Sequence, residues 1–238
     1  MMNHTIFDTA VGVIESLAND FKTYGLQKNT VHISLSGGST PKMLFQHLAQ
    51  TPQATDINWA NLHFWWGDER CVPPTDPESN FGQANALLFS RVSIPAGNIH
   101  RISGENDPPK EAQRYAEEMA GTIPVHDGVP VFDWILLGIG PDGHTASLFP
   151  GKTNYHEQTL TIVAAHPESG QLRVSKTATV LKAAKRLTYI VLGSGKQDIV
   201  NKIHTHSAKT LSYPAARITS DNGRTEWYLD KHAAQKII

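Results

Sequence analysis

The sequence predicts an α/β fold with a parallel sheet. Three observations carry this: apolar stripes of helical period alternate with short β-branched runs, a nearly continuous apolar strand lies mid-chain, and several strands end in glycine. The 238 residues include 18 glycines, 14 prolines and a net charge of −1, so the chain has core-forming material and no charge excess that would keep it unfolded. A single domain over residues 1–238 is expected.

Val11, Ile14, Leu17, Ala18 and Phe21 recur at helical spacing, which predicts a helix from Thr9 to Tyr24. Thr30 to Ser36 reads as a strand running into Gly37-Gly38. A helix then follows, with Ser39 or Thr40 as cap and Pro41 at its first position. The alternation continues with a strand at Leu62 to Trp66, a helix at Asn80 to Arg91, a short strand at Ile99 to Ile102 and a helix at Lys110 to Gly121. Val131 to Ile139 is the central strand, and strands at Leu160 to Ala164, Leu172 to Leu181 and Leu187 to Leu192 follow. A helix at Lys196 to His204 and closing strands at Ala216 to Ile218 and Glu226 to Leu229 complete the pattern.

Composition excludes several classes of function. The near-zero net charge provides no basic field for nucleic acid. Met1 to Ala10 lacks the basic start and apolar stretch of a secretion signal, and no run is long enough for a membrane span. Cys71 is the single cysteine, so no intrachain disulfide forms, which fits a reducing compartment. A cytoplasmic protein with no membrane partner is expected. His204 and His206 stand two apart near a helix end and face different ways, unlike a metal-chelating pair.

Four segments are candidates for chemistry. Ser36-Gly37-Gly38-Ser39-Thr40 joins a strand to a helix start, where main-chain N–H groups and hydroxyls converge on one anion. The same residues also fit an ordinary capped turn. Asp68-Glu69-Arg70 follows a strand, where side chains meet ligands in parallel sheets, although a solvated turn is the alternative. Gly138, Gly140 and Gly143 satisfy the dinucleotide-binding glycine spacing, but the acidic residue about 20 positions on is missing, which disfavours a nicotinamide-dependent dehydrogenase. That segment instead offers Asp142 beside His144, an imidazole suited to general-base work. Finally, Arg173, Lys176 and Lys196 form a basic trio; Ile190 and Gln197 stand where a nucleoside-triphosphate loop needs glycine and a hydroxyl.

The segments LSGGSTPKMLFQHLA, WWGDERCVPPTDPESNFGQAN and DWILLGIGPDGHTASLFPG, with the Arg173 strand and GSGK, resemble the superfamily of 6-phosphogluconolactonases and glucosamine-6-phosphate isomerases. The similarity runs in order from about residue 34 to residue 200. It implies a modified Rossmann-like, doubly wound, mostly parallel sheet flanked by helices, no metal or organic cofactor, and hydrolysis of 6-phospho-D-glucono-1,5-lactone in the oxidative pentose phosphate pathway; separately, a monomer or weak homodimer is expected. Carried over by position, Ser36, Gly37, Gly38, Ser39 and Thr40 hold the phosphate with Arg173 and Lys196. Asp68, Glu69 and Arg70 form the acidic-arginine turn, and His144 is the base with Asp142 beside it. One local departure is Arg173-Val174-Ser175, where many relatives have threonine third.

The deaminase branch resembles DGHIAFNEP after its central strand. Here Phe149 occupies the glutamate's place, which favours the lactonase branch over an amino-sugar phosphate isomerase or deaminase. A non-catalytic sugar-phosphate sensor is a further alternative, disfavoured by Asp142 and His144, since a sensor needs the grip but no base.

Overall fold

The computed structural model describes residues 2–50, 52–205 and 212–238; His206 lies outside them. Eleven strands lie within those residues: β1 (His4–Phe7), β2 (Val31–Leu35), β3 (Leu62–Trp66), β4 (Asp68–Arg70), β5 (Val125–His126), β6 (Val129–Pro130), β7 (Trp134–Leu137), β8 (Thr161–Ala165), β9 (Leu172–Lys176), β10 (Arg186–Val191) and β11 (Arg224–Asp230). The helices are α1 (Ala10–Gly25), α2 (Ser39–Leu48), α3 (Gln53–Asp56), α4 (Asn80–Ala84), α5 (Pro108–Thr122), α6 (Ala178–Lys182), α7 (Gln197–Thr205), α8 (Pro214–Arg217) and α9 (Lys231–Ala234). None of them is long and apolar enough to cross a membrane.

Six strands form a wholly parallel sheet in the order β1-β11-β10-β7-β2-β3. From β2 the chain moves outward to β3, then returns to β7 and winds the other way through β10 and β11. The reversal makes β2 and β7 the neighbours across which the sheet switches direction. A crevice opens at the carboxyl ends of such a pair. All of β2 and β7 is buried, as expected of central strands covered by helices on both faces. Val13, Ile14, Leu17, Ala18 and Phe21 of α1 pack into this core, and Thr9 caps the helix by accepting from the Gly12 N–H at 3.1 Å. Val11, expected on the buried face, is 55% exposed.

The second sheet, β4-β9-β8, is antiparallel and was not expected from the alternating pattern. The β8 to β9 connection is too short for a crossover, so the two strands can pair only as a hairpin. The single strand expected at 172–181 divides into β9 and α6, with Thr177 at the corner donating from Oγ1 to the Thr159 carbonyl at 2.9 Å.

Other expectations are corrected as well. Residues 99–102 form no strand, because the chain touches β3 through a single bridge between Phe64 and Ile99 and then leaves. Residues 216–218 do not extend either: Pro214 sets the dihedral angle of a first helical position, and α8 follows. The helix expected to reach Arg91 is α-helical only to Ala84 and continues as a π-helical turn, Asn85–Phe89. At α2 the cap falls on Gly38, whose φ of 110° suits glycine, rather than on Ser39 or Thr40. Pro41 still lies in the first turn, where its missing N–H breaks no helical bond.

Candidate active site

The loops after β2, β7 and β10 meet β4 and β9 around an open cleft of about 270 Å3. Ser36, Gly37, Gly38, Ser39 and Thr40 line one side, and Gly138 to Pro141 with His144 line another. Asp68, Arg70, Arg173 and Lys196 complete the charged lining. Gly38 supplies no side-chain cap, so the first amides of α2 remain available to an anion.

Strand periodicity sorts the neighbouring charges. On β4, Asp68 and Arg70 share one face and reach the cleft, whereas Glu69 faces the other way. The buried Glu69 carboxylate accepts from the N–H groups of Arg70, Asn80 and Phe81 and from Ser79 Oγ, which ties β4 to the start of α4. Burial pushes its carboxyl above the usual range, against those donors. Glu69 is therefore a structural anchor. On β9 the same rule separates Arg173, in the cleft, from Lys176, three residues on and on the opposite face. Lys176 is fully buried, donates to Ser34 Oγ at 2.6 Å and lies 3.9 Å from the centre of the Phe132 ring. Burial lowers its ammonium well below the ordinary value.

The register of the small sheet places Arg70 directly opposite Arg173. Like charges in that position repel, and an anion between them relieves the repulsion. Arg70 Nη1 donates to the Glu78 carbonyl at 2.7 Å, but the Nε atoms of both arginines are buried without partners among the described residues. Ser36 Oγ and Asn80 Oδ1, also on cleft-lining residues, are in the same condition. Buried polar atoms are rarely left unpaired, and a polar ligand bound in the cleft would supply partners for these four. Burial lowers the Arg173 guanidinium below its ordinary value, opposed by the charge of Asp68. Lys196 is lowered by burial and opposed by Asp142; its Nζ donates to the Ile139 carbonyl at 2.8 Å.

His144 is held by its own loop. Asp142 Oδ1 lies 2.6 Å from His144 Nδ1 and also accepts from the His144 N–H at 3.2 Å. A carboxylate only accepts, so Nδ1 carries a proton, and in the neutral ring the lone pair is on Nε2. Partial burial raises the Asp142 carboxyl, but the His144 amide and ring outweigh it and hold it below the usual range. Asp142 does not itself line the cleft; it stands behind the imidazole. Phe149 is buried with its ring centre 5.1 Å from that of His144, so an apolar ring adjoins the imidazole where the deaminase motif carries glutamate.

Two residues escaped the sequence reading. Asn80 lines the cleft and donates from Nδ2 to the Asp68 carbonyl at 2.9 Å, yet an asparagine at a helix start resembles an ordinary cap. Ser147 donates to Asp68 Oδ2 at 2.6 Å across 79 residues of sequence, and no local pattern announces that contact.

Fold and cleft together define the class: a doubly wound α/β protein with a glycine-rich helix-start loop and an oriented imidazole at its topological switch point. Residues 7–227 match the family model for glucosamine-6-phosphate isomerases/6-phosphogluconolactonase. The chain is 56% identical over 236 residues to 6-phosphogluconolactonase of Haemophilus influenzae, covering 99% of this chain and 100% of that relative. A crystal structure of a devB protein superposes with a TM-score of 0.99 at 65% identity and covers 100% of both chains. The 6-phosphogluconolactonase of Trypanosoma brucei superposes with a TM-score of 0.85 at 25% identity, covering 100% of this chain and 99% of that one. The chain belongs to the glucosamine-6-phosphate isomerase/6-phosphogluconolactonase family.

Proposed function

We propose that this protein, acting as one unit over residues 1–238, hydrolyses 6-phospho-D-glucono-1,5-lactone to 6-phospho-D-gluconate, a step of the oxidative pentose phosphate pathway, with His144 as the base. The observation that carries the reading is that an imidazole fixed by Asp142 faces the same cleft as the amides and hydroxyls of residues 36–40. The substrate phosphate sits on those amides with Arg173 and Lys196. Its binding energy orients the lactone carbonyl, although the phosphate takes no part in the reaction. Asp68, on the same lining, accepts from a ring hydroxyl of the sugar.

His144 Nε2 takes a proton from water as the water oxygen bonds to the lactone carbonyl carbon. Arg70 or a main-chain N–H holds the oxyanion. Collapse of this intermediate breaks the bond from the carbonyl carbon to the ring oxygen, and the imidazolium returns its proton to that oxygen. The carboxylic acid product then loses a proton to solvent. General-base assistance is worth on the order of 10² to 10⁴ in rate, which suffices for an already reactive lactone.

The test is acid release from the lactone at constant pH, corrected for spontaneous opening, with the purified protein and with His144→Ala. Turnover is expected to fall by at least 10²-fold in the variant, with a smaller change in KM. An unchanged rate above background in His144→Ala would remove the base assignment.

A further inference from the structure

Asp68 is 6% exposed, and its carboxylate accepts one hydrogen bond among the described residues, from Ser147 Oγ to Oδ2 at 2.6 Å. Its Oδ1 takes none. Ser147 is 1% exposed and is not part of the cleft lining. Its placement is strongly determined. The Ser147 N–H donates to Ser175 Oγ at 3.2 Å, and Ser175 Oγ donates to the Lys176 carbonyl at 3.0 Å, which fixes the serine to β9. On its other side the chain makes a tight turn, with the Leu148 N–H donating to the Thr145 carbonyl at 3.0 Å. Within that turn Ala146 holds φ at 48°, a left-handed conformation that a residue with a Cβ rarely adopts. Strain of this kind persists only where the surroundings over-determine it, and it concentrates at functional sites.

From this geometry we infer that Ser147 is a positioning residue, holding Oδ2 of Asp68 so that Oδ1 is presented to a hydroxyl of the sugar-phosphate lactone. The inference rests on the assignment of Asp68 to a ring hydroxyl. A free carboxylate rotates and offers either oxygen. With one oxygen tied to a buried donor, the plane of the carboxylate is set and only one acceptor direction faces the cleft. Ser147 would thereby contribute to the choice between sugar lactones differing in one hydroxyl. Sites built to pair a hydroxyl discriminate strongly against ligands that lack it.

The experiment compares wild type, Ser147→Ala, Asp68→Asn and the double variant. Each is assayed on 6-phosphogluconolactone and on its deoxy analogues lacking one ring hydroxyl at a time, and melting temperatures serve as a check on folding. Ser147→Ala is expected to lower kcat/KM on the parent lactone about tenfold, the scale of one charge-assisted hydrogen bond partly expressed in catalysis. On the analogue lacking the hydroxyl that Asp68 accepts, the difference between wild type and Ser147→Ala should shrink towards onefold. The double variant should be no slower than Asp68→Asn. A merely structural serine would reduce all substrates alike, and that outcome overturns the inference. So does wild-type kcat/KM in Ser147→Ala while Asp68→Asn is impaired, which leaves the Asp68 assignment standing. Wild-type behaviour of Asp68→Asn would instead remove that assignment and this inference with it.

Discussion

Gly140→Ala offers a sharp test of the imidazole's placement, because it adds one methyl group behind the base and nothing elsewhere. A Cβ on Gly140 would lie 2.2 Å from Cε1 and Nδ1 of His144 and 2.6 Å from Oδ1 of Asp142. Ordinary van der Waals contact begins at 3.4 Å, so the ring and its carboxylate must move by about 1 Å or separate. The backbone cannot easily give way, since Gly140 donates to the His144 carbonyl at 2.9 Å and accepts from the Gly143 N–H at 3.0 Å. A misplacement of this size in a reacting group costs on the order of 10² in rate. In the lactone acid-release assay kcat should therefore fall about 100-fold while KM changes little, because the proposed phosphate cradle belongs to a different loop. Gly140→Ala combined with His144→Ala should be no slower than His144→Ala alone, as both act on one base. A Gly140→Ala enzyme with more than half of wild-type kcat would refute the reasoning that this imidazole, in this position, does the chemistry.

Further outcomes follow from the charges. Lys196→Ala should raise KM for the lactone by about tenfold to 100-fold with a smaller effect on kcat, measured by steady-state kinetics, since an ammonium gripping a remote phosphate contributes mainly to binding. His32 should make stability depend on pH. Burial, reinforced by neighbouring His63, pushes its imidazole down to about 4, with Asp133 opposing and His100 and Lys185 adding to the fall. The unfolded chain takes up this proton near the ordinary 6.5, so stability is full above that pH, declines as pH falls towards about 4 and is level below. The loss from this group is at most about 3 kcal/mol. His32→Gln keeps an acceptor for Trp65 Nε1, which bonds His32 Nδ1 at 3.2 Å, and should flatten the decline in urea unfolding between pH 7 and 4. An unaltered slope would rule out His32 as its source.

Much of the fold was legible because its central strands are rich in β-branched and large apolar residues and break at glycines. β3 has the expected bounds, and β2, β7 and β10 fall within one to three residues of theirs. The edges were less legible. β1 is four residues of mixed polarity that pair with β11 from the far end of the sequence, and β4 is three charged residues that read as a turn. Their extended conformation depends on partners rather than on composition. Expecting a closing strand at 216–218 overlooked the helix-starting proline before it.

By itself the sequence determined the glycine loops, the hydroxyls beside them, the spacing of Asp142 and His144, and Phe149 in place of a glutamate, because each is a local pattern written in consecutive residues. Tertiary structure alone decided how those loops combine. It put Arg70 across from Arg173, turned Glu69 and Lys176 away from the cleft, and brought Ser147 to Asp68. Each of these depends on strand pairing between distant segments, and a side chain's face is settled only when its strand acquires a neighbour.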